Sequence, residues 1–433
     1  MKYLAVLGRQ PEISIAELES LFSDVQQISD QLATFCLPND ANTLSRAASL
    51  APVATGLARS SSPCQAPDSL ERILDVISPD INRLGGTIKL AVELGEKPLD
   101  YLKNLPEGKI TIGISDYSHK TNPKIAKTEA LKLKQILVRH GRSVRVVESK
   151  DAVLSTATSL HNGLSGKNER KCELIKVNND WYRVVGIQDI DAYTKRDQAR
   201  PMRDARVGML PPKLAQILIN LCGPLPAGSR ILDPFCGTGV VLQEALLMGY
   251  TAYGTDLNDR MVEYTGKNLR WLTEFENAHS RAASGRPVAT GGRRSSSPCQ
   301  APDSLESDIF QIQQGDATSF KWTPPIDAIA CEGYLGTPMS QIPTEIKLKE
   351  QMQECRAIIL GFLKNLSTQI TPNTPVIIAA PAWLRPDDTY SRLEILDSIQ
   401  ELGYNVKNTS REGLLYHRKD QIVARDIIIL RKN

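Results

Sequence analysis

The sequence lacks the marks of a membrane or metal protein. Its 433 residues contain no run of 18 apolar residues, which excludes a membrane-spanning helix by hydropathy. Eight cysteines occur, none in a Cys-x-x-Cys pair, and five histidines form neither His-Glu-x-x-His nor His-x-x-x-His spacing. Neither a disulfide framework nor a metal site is expected. The stretch from Met1 to Gly8 is too short in apolar residues for a secretory signal. Excess charge is also scarce: 52 Lys and Arg stand against 49 Asp and Glu, a net of +3, so only the placement of charge is informative. The 41% hydrophobic content supports packed cores, and at about 150 residues per domain the length implies two or three domains. The expectation is a soluble protein of a reducing compartment, the cytoplasm.

One repeat interrupts the chain. Residues 46–71 and 281–306 differ only at Leu50/Gly285, Ala51/Arg286, Leu57/Gly292 and Ala58/Arg293. Their Ser, Ala, Pro and Arg content has no apolar period and buries no face. They read as inserts in tolerant surface loops, and the fold is read without them.

Without the inserts, two small α+β modules are expected, at 1–95 and 96–194. In the first, Tyr3 to Leu7, Ala33 to Leu37 and Thr87 to Leu94 read as strands. Ser14 to Phe22 reads as a helix with Ser14 as its N-cap. In the second, Asn122-Pro123 opens a helix with one apolar face, Ala126, Ala130, Leu133 and Leu137. From Lys120 to Lys150 nine Lys and Arg stand against two acids, and from 195 to 213 six stand against two. Either patch is a solvated face or a phosphate-binding surface. The candidates for RNA contact are Lys124, Lys127, Arg142, Arg196, Arg200 and Arg203, with 195–213 as a basic linker.

From 214 to 433 strands and helices alternate, the pattern of an α/β doubly wound parallel sheet, with one antiparallel member expected at the end. Asp233-Pro-Phe-Cys-Gly-Thr-Gly239 joins the first strand to the first helix. Gly237 and Gly239 permit a tight turn and close approach of a ligand. Asp256 and Asp316 end the next two strands. Acids at successive strand ends lie on the edge where such sheets bind ligands. An acid after the second strand suits a ribose diol, and one after the third suits an adenine amino group.

The cofactor follows partly by exclusion. No Gly-x-x-x-x-Gly-Lys-Ser/Thr loop is present. A nicotinamide fingerprint would want a third glycine where Leu242 stands. Asp233 beside the turn would repel a pyrophosphate but attract an ammonium. S-adenosylmethionine fits best, with Asp233, Phe235, Gly237, Gly239, Asp256, Leu257, Asp316 and Ala317 as candidate contacts.

DPFCGTG followed by GTDLN resembles the methyltransferases of exocyclic amino groups. The stretch Arg196 to Leu221, RDQARPMRDARVGMLPPKLAQILINL, and the opening MKYLAVLGRQPEISIAELESLF resemble the THUMP-containing tRNA guanosine-N(2) methyltransferases that act on tRNA position 10. The resemblance implies a ferredoxin-like module and a THUMP domain before the methyltransferase sheet, tRNA as partner and S-adenosylmethionine as cofactor. A small activator subunit is not readable.

The chain departs from that family at the loop after the fourth strand, where the family has Asp-Pro-Pro-Tyr-Gly. Here Cys331 runs into Glu332-Gly-Tyr-Leu-Gly336. Without a gap Glu332 takes the acid's place and Leu335 the tyrosine's. Shifted by one, Tyr334 is restored and Cys331 takes the acid's place. Glu332 can accept amino hydrogens and Tyr334 can stack on a base; a loop that has lost methyl transfer while the protein binds RNA is the alternative. A DNA amino-methyltransferase is a third reading. Cys331 is not expected as a nucleophile. Trp181 and Trp383 read as packing residues, with Pro381-Ala382-Trp383 a further candidate lining of a base pocket.

Overall fold

A computed structural model describes residues 1–37, 80–204, 210–283, 309–407, 413–419 and 421–433, with side chains in the 259–283 helix described to residue 274. The expectation made for the two repeat copies falls outside the described side chains. The described residues form two compact units, one of residues 1–37 and 80–190 and the other from 191 onward.

The first unit holds an eight-stranded sheet in the order β2-β3-β1-β4-β8-β7-β5-β6. Its strands are β1 (Lys2–Leu7), β2 (Ser23–Ser29), β3 (Leu32–Cys36), β4 (Thr87–Glu93), β5 (Ile110–Asp116), β6 (Val144–Val147), β7 (Lys171–Val177) and β8 (Asp180–Ile187). Its helices are α1 (Pro11–Leu21), α2 (Pro98–Lys103), α3 (Pro123–Arg139) and α4 (Thr156–His161). The modules expected at 1–95 and 96–194 share this sheet, because β4 pairs antiparallel with β8. One apolar cluster spans both: Leu4, Val6, Leu32 and Ala91 pack with Ile175, Tyr182 and Val184.

A buried ion pair crosses the same join. Lys89 Nζ of β4 lies 2.6 Å from Glu173 Oε1 of β7, with both side chains at most 1% exposed. Lys89 also donates to the Leu154 carbonyl and Ser159 Oγ, while Ser115 and Ser159 hydroxyls donate to Glu173. Buried charges of opposite sign are tolerated when hydrogen bonds meet their remaining polar sites, as here.

One local expectation is corrected, and one strand was not foreseen. The first helix begins at Pro11, which presets the helical φ at the first turn, with Gln10 as N-cap. Ser14 therefore lies inside the helix, its hydroxyl donating to the Gln10 carbonyl at 3.1 Å. Strand β2 had no apolar alternation to announce it; it is an edge strand whose side chains are mostly exposed. At α3 the capping expectation holds: Asn122 Oδ1 accepts the Ile125 amide hydrogen at 3.0 Å.

The second unit opens with α5 (Ile190–Gln198) and α6 (Pro212–Leu221). Then follow β9 (Arg230–Asp233), α7 (Val240–Leu247), β10 (Thr251–Asp256), α8 (Asp259–Ala283), β11 (Phe310–Gln314), β12 (Ala328–Glu332) and α9 (Glu345–Leu366). The chain ends with β13 (Pro375–Leu384), β14 (Tyr390–Arg392), α10 (Leu396–Glu401), β15 (Tyr404–Val406), β16 (Leu414–Tyr416) and β17 (Val423–Lys432). The sheet order is β11-β10-β9-β12-β13-β17-β15, with β14 on β13 and β16 on β17.

Strands β11 to β13 are parallel, and β17 runs antiparallel to β13. This is the doubly wound sheet that the alternating pattern implied, but both β14 and β17 run antiparallel to β13 where one antiparallel member was expected. The order reverses between β9 and β12, so the crevice for a ligand opens beyond their carboxyl ends. Arg392 ends β14, and the helix that follows begins at Leu396.

Candidate cofactor and acceptor site

The turn after β9 is built by hydrogen bonds that need glycine. Gly237 has φ +51° and Gly239 φ +82°, the left-handed region that glycine enters without steric cost. A Cβ on Gly239 would stand 2.9 Å from Thr265 Cγ2, so the α8 side chain closes off that position. The Gly237 amide donates to Asp256 Oδ2 at 2.9 Å, and the Thr265 hydroxyl donates to the Gly237 carbonyl at 2.8 Å. The turn is thus held to β10 and α8 before any ligand arrives.

Beyond these strand ends lies a cavity of about 820 Å³. Asp233 from β9, Asp256 from β10, Asp316 after β11 and Glu332 from β12 all line it, with Glu354 of α9. Among the described lining residues there is no Lys or Arg against these five carboxylates. Phe235, Gly237, Leu257, Ala317 and Tyr334 also line it. Gly239 does not; its part is to begin α7, where it is the N-cap. Pro381-Ala382-Trp383 is not part of the lining either, and Trp383 is fully buried in the core beside Ile378 and Leu393.

Crowded carboxylates in a low-dielectric wall resist ionisation. Burial pushes the Asp233 carboxyl well above its ordinary range; the Phe235 amide hydrogen bond opposes this, and the Asp256 and Glu332 charges add to it. Burial also raises Asp256, against hydrogen bonds from the Asn258 and Gly237 amides. The Cys236 and Cys331 thiols are pushed well above their ordinary values by burial. A thiol kept protonated is a poor nucleophile, in keeping with the reading of Cys331.

The donor set fits the sulfonium nucleoside expected from the sequence. A wall of carboxyls without a lining cation suits an ammonium and a sulfonium, whose positive charge favours ionisation of these acids, and disfavours a pyrophosphate. Each Asp256 oxygen accepts one amide hydrogen, which leaves acceptor capacity for a ribose diol. Asp316 Oδ1 is held by the Thr318 amide and hydroxyl, which leaves Oδ2 for an amino group. Leu257 is 70% exposed and offers an apolar face at the cavity rim. Among the described residues no group of His, Cys, Asp or Glu is arranged to hold a metal, and no helix is long and apolar enough to cross a membrane.

The loop after β12 is tied to α9. The Tyr334 hydroxyl donates to Glu354 Oε1 at 3.2 Å, Gln351 Oε1 accepts the Thr337 amide hydrogen at 2.6 Å, and Gln351 Nε2 donates to Glu354 Oε2 at 3.1 Å. Sequence reasoning missed Gln351 and Glu354. Their i,i+3 spacing on a long helix was the available signal, but it did not say which loop that face would meet. It missed Arg425 as well, whose Nε donates to Glu332 Oε1 at 2.8 Å.

The residues expected to meet RNA divide. Lys124 and Arg203 are exposed, and Lys127, also exposed, pairs with Glu148 at 2.8 Å. Arg142 is instead spent on the Leu105 and Pro106 carbonyls, at 2.9 and 2.6 Å. Arg196 donates to the buried Glu244 at 2.8 Å and lies over the Tyr193 ring. Arg200 is 2% exposed and so is withdrawn from any backbone phosphate. Charge density along the sequence did not reveal which cations the packing had already committed.

Comparison with known proteins bears on the second unit. The family model of the RMKL-like methyltransferase domain matches residues 200–356. A tRNA (guanine(10)-N2)-dimethyltransferase of Methanothermobacter thermautotrophicus is 49% identical over 90 residues, which are 20% of this chain and 26% of that protein. The type II methyltransferase M.MwoI of Methanothermobacter wolfeii is 34% identical over 96 residues, 21% of this chain and 14% of that protein. The chain therefore spans about a quarter, or less, of the length of these curated relatives. TrmN from Thermus thermophilus covers 100% of both chains at 16% identity and a TM-score of 0.41. The four acidic strand ends around one crevice lie within or beside the stretch, residues 200–356, that is similar to the RMKL-like methyltransferase domain.

Proposed function

We propose that the protein transfers a methyl group from S-adenosylmethionine to the 2-amino group of a guanosine in tRNA. The observation that carries this reading is the crevice lined by Asp233, Asp256, Asp316 and Glu332, with no Lys or Arg in its described lining. The bound cofactor supplies an electrophilic methyl on a sulfonium. Asp233 would hold the ammonium of its amino-acid tail, Asp256 the ribose hydroxyls and Asp316 the adenine amino group, with Leu257, Phe235 and Ala317 available to its apolar surfaces.

A guanine amino group is a weak nucleophile, because its lone pair is delocalised into the ring. The Glu332 carboxylate would accept an amino hydrogen, turning the nitrogen lone pair out of the ring plane, and would receive that hydrogen as the proton the nitrogen sheds on methylation. Tyr334, on the same loop, stacks on the extracted base. Orientation supplies much of the rate in such an in-line displacement. The eight-stranded unit serves as ferredoxin-like and THUMP modules, gripping tRNA through the exposed basic face of α3. The relatedness to a tRNA dimethyltransferase supports an RNA acceptor; that to M.MwoI keeps duplex DNA as the second reading.

Labelled methyl transfer to unmodified tRNA and to duplex DNA, by the wild type and Glu332→Gln, tests this. The expected result is transfer to tRNA alone, mapped by mass spectrometry to a guanosine and strongly slowed, to a residual measurable rate, in Glu332→Gln. Background transfer by a wild type that binds both cofactor and tRNA overturns it in favour of a lapsed binding protein. Transfer to DNA overturns it in favour of the second reading.

A further inference from the structure

Glu332 stands where an acid with two rigid prolines behind it would be expected, but it is followed by Gly333 and Tyr334. Compared with aspartate it carries one more rotatable bond, and the glycine after it adds backbone freedom. Something else must hold the carboxylate. We infer that Arg425 is the positioning residue of this site, clamping Glu332 Oε1 so that Oε2 is presented to the acceptor amino group. The inference rests on the reading of Glu332 as the hydrogen acceptor and extends it to a residue two strands away.

The geometry is specific. Glu332 ends β12 and is level with Ala379 of β13, and Arg425 on β17 is level with Pro381 of β13. The Arg425 side chain thus crosses β13 to reach Glu332, at 2.8 Å from Nε to Oε1. Its guanidinium is fixed from the other side as well: Nη1 donates to Gln421 Oε1 at 3.0 Å and to the Val423 carbonyl at 3.3 Å. The Arg425 side chain is 5% exposed and that of Glu332 16%. No described residue donates to Glu332 Oε2, and Glu332 lines the cavity. One oxygen is therefore occupied by a cation locked into the sheet, and among the described residues none donates to the other. A planar guanidinium held at three points restricts the longer acid as a lysine ammonium would not.

Arg425 touches neither acceptor nor donor in this scheme, so its effect is on the chemical step. In Arg425→Met, kcat is expected to fall about 100-fold, the scale of a misplaced reacting group, with the KM for the methyl donor changed little. Arg425→Lys is expected to recover part of that loss. In a Glu332→Gln background, Arg425→Met is expected to cost nothing further, because the residue acts only through the carboxylate. A second readout does not depend on turnover: the crystal structure of Arg425→Met should show the Glu332 carboxylate displaced from its wild-type position. Where Arg425→Met fails to fold, Arg425→Gln and Arg425→Lys carry both measurements.

Equal kcat losses in the wild-type and Glu332→Gln backgrounds, or an undisplaced Glu332 in the variant structure, overturn the inference. An inactive wild type overturns the proposed reaction instead, and the crystallographic comparison still decides whether Arg425 places Glu332.

Discussion

The carboxylate of Asp256 receives the Gly237 amide hydrogen at 2.9 Å, so the acid at the end of β10 also holds the glycine turn that follows β9. Its other oxygen accepts the Asn258 amide hydrogen at 2.9 Å. Asp256 thus has two tasks, to bind a ribose diol and to fix the turn beside it.

Asp256→Ala should therefore lose more than a diol contact. A charge-assisted hydrogen bond contributes about 1.5–3 kcal/mol, so the loss of even one should lower donor affinity about 10- to 150-fold. Calorimetric titration with S-adenosylmethionine and with its demethylated product checks this. Both should weaken together, since both carry the ribose. Selective loss of one would show that Asp256 does not meet the sugar.

Asp233 gives a pH prediction of definite sign. Its carboxyl is raised well above the ordinary range, chiefly by burial and further by the Asp256 and Glu332 charges. The folded protein without ligand thus holds a proton that the unfolded chain releases. The stability associated with this group is complete below about pH 4 and declines as pH rises through the elevated folded value. Asp233→Asn should accordingly raise the thermal midpoint of the free protein at neutral pH, with the difference closing at acid pH. An ammonium ligand needs the ionised acid, so wild-type donor affinity should increase with pH and binding should release a proton. Thermal melts across pH and titrations in buffers of different ionisation enthalpy measure both. A pH-independent affinity would remove Asp233 from contact with the ammonium.

The division among basic residues predicts two kinds of variant. Lys124→Glu and Arg203→Glu should weaken tRNA binding and lower the salt dependence by about one unit per phosphate contact removed. Arg142→Ala and Arg200→Ala should leave that slope alone and lower the melting temperature, because one side chain bonds two carbonyls and the other is buried. Filter binding over a range of salt, beside thermal melts, separates the two groups. A salt slope reduced by Arg200→Ala would contradict its burial.

The sequence by itself determined the second unit's alternation of strands and helices and the order of its strand-end acids. It also determined the glycine turn. These are local properties: apolar periodicity selects helix or strand, and φ angles of +51° and +82° select glycine within a few residues of chain. Even there β2 stayed hidden, because an exposed edge strand such as Ser23–Ser29 needs no apolar alternation. Only the tertiary structure decided that β4 pairs with β8 to join two modules, that Arg200 is buried while Lys124 is exposed, and that Arg425 grips Glu332 across 93 residues of chain. Such pairings depend on which surfaces meet, and a side chain's surroundings are supplied by residues distant in sequence. A charged residue reads the same in the chain whether it faces solvent, a carbonyl or a carboxylate; packing alone distinguishes the three.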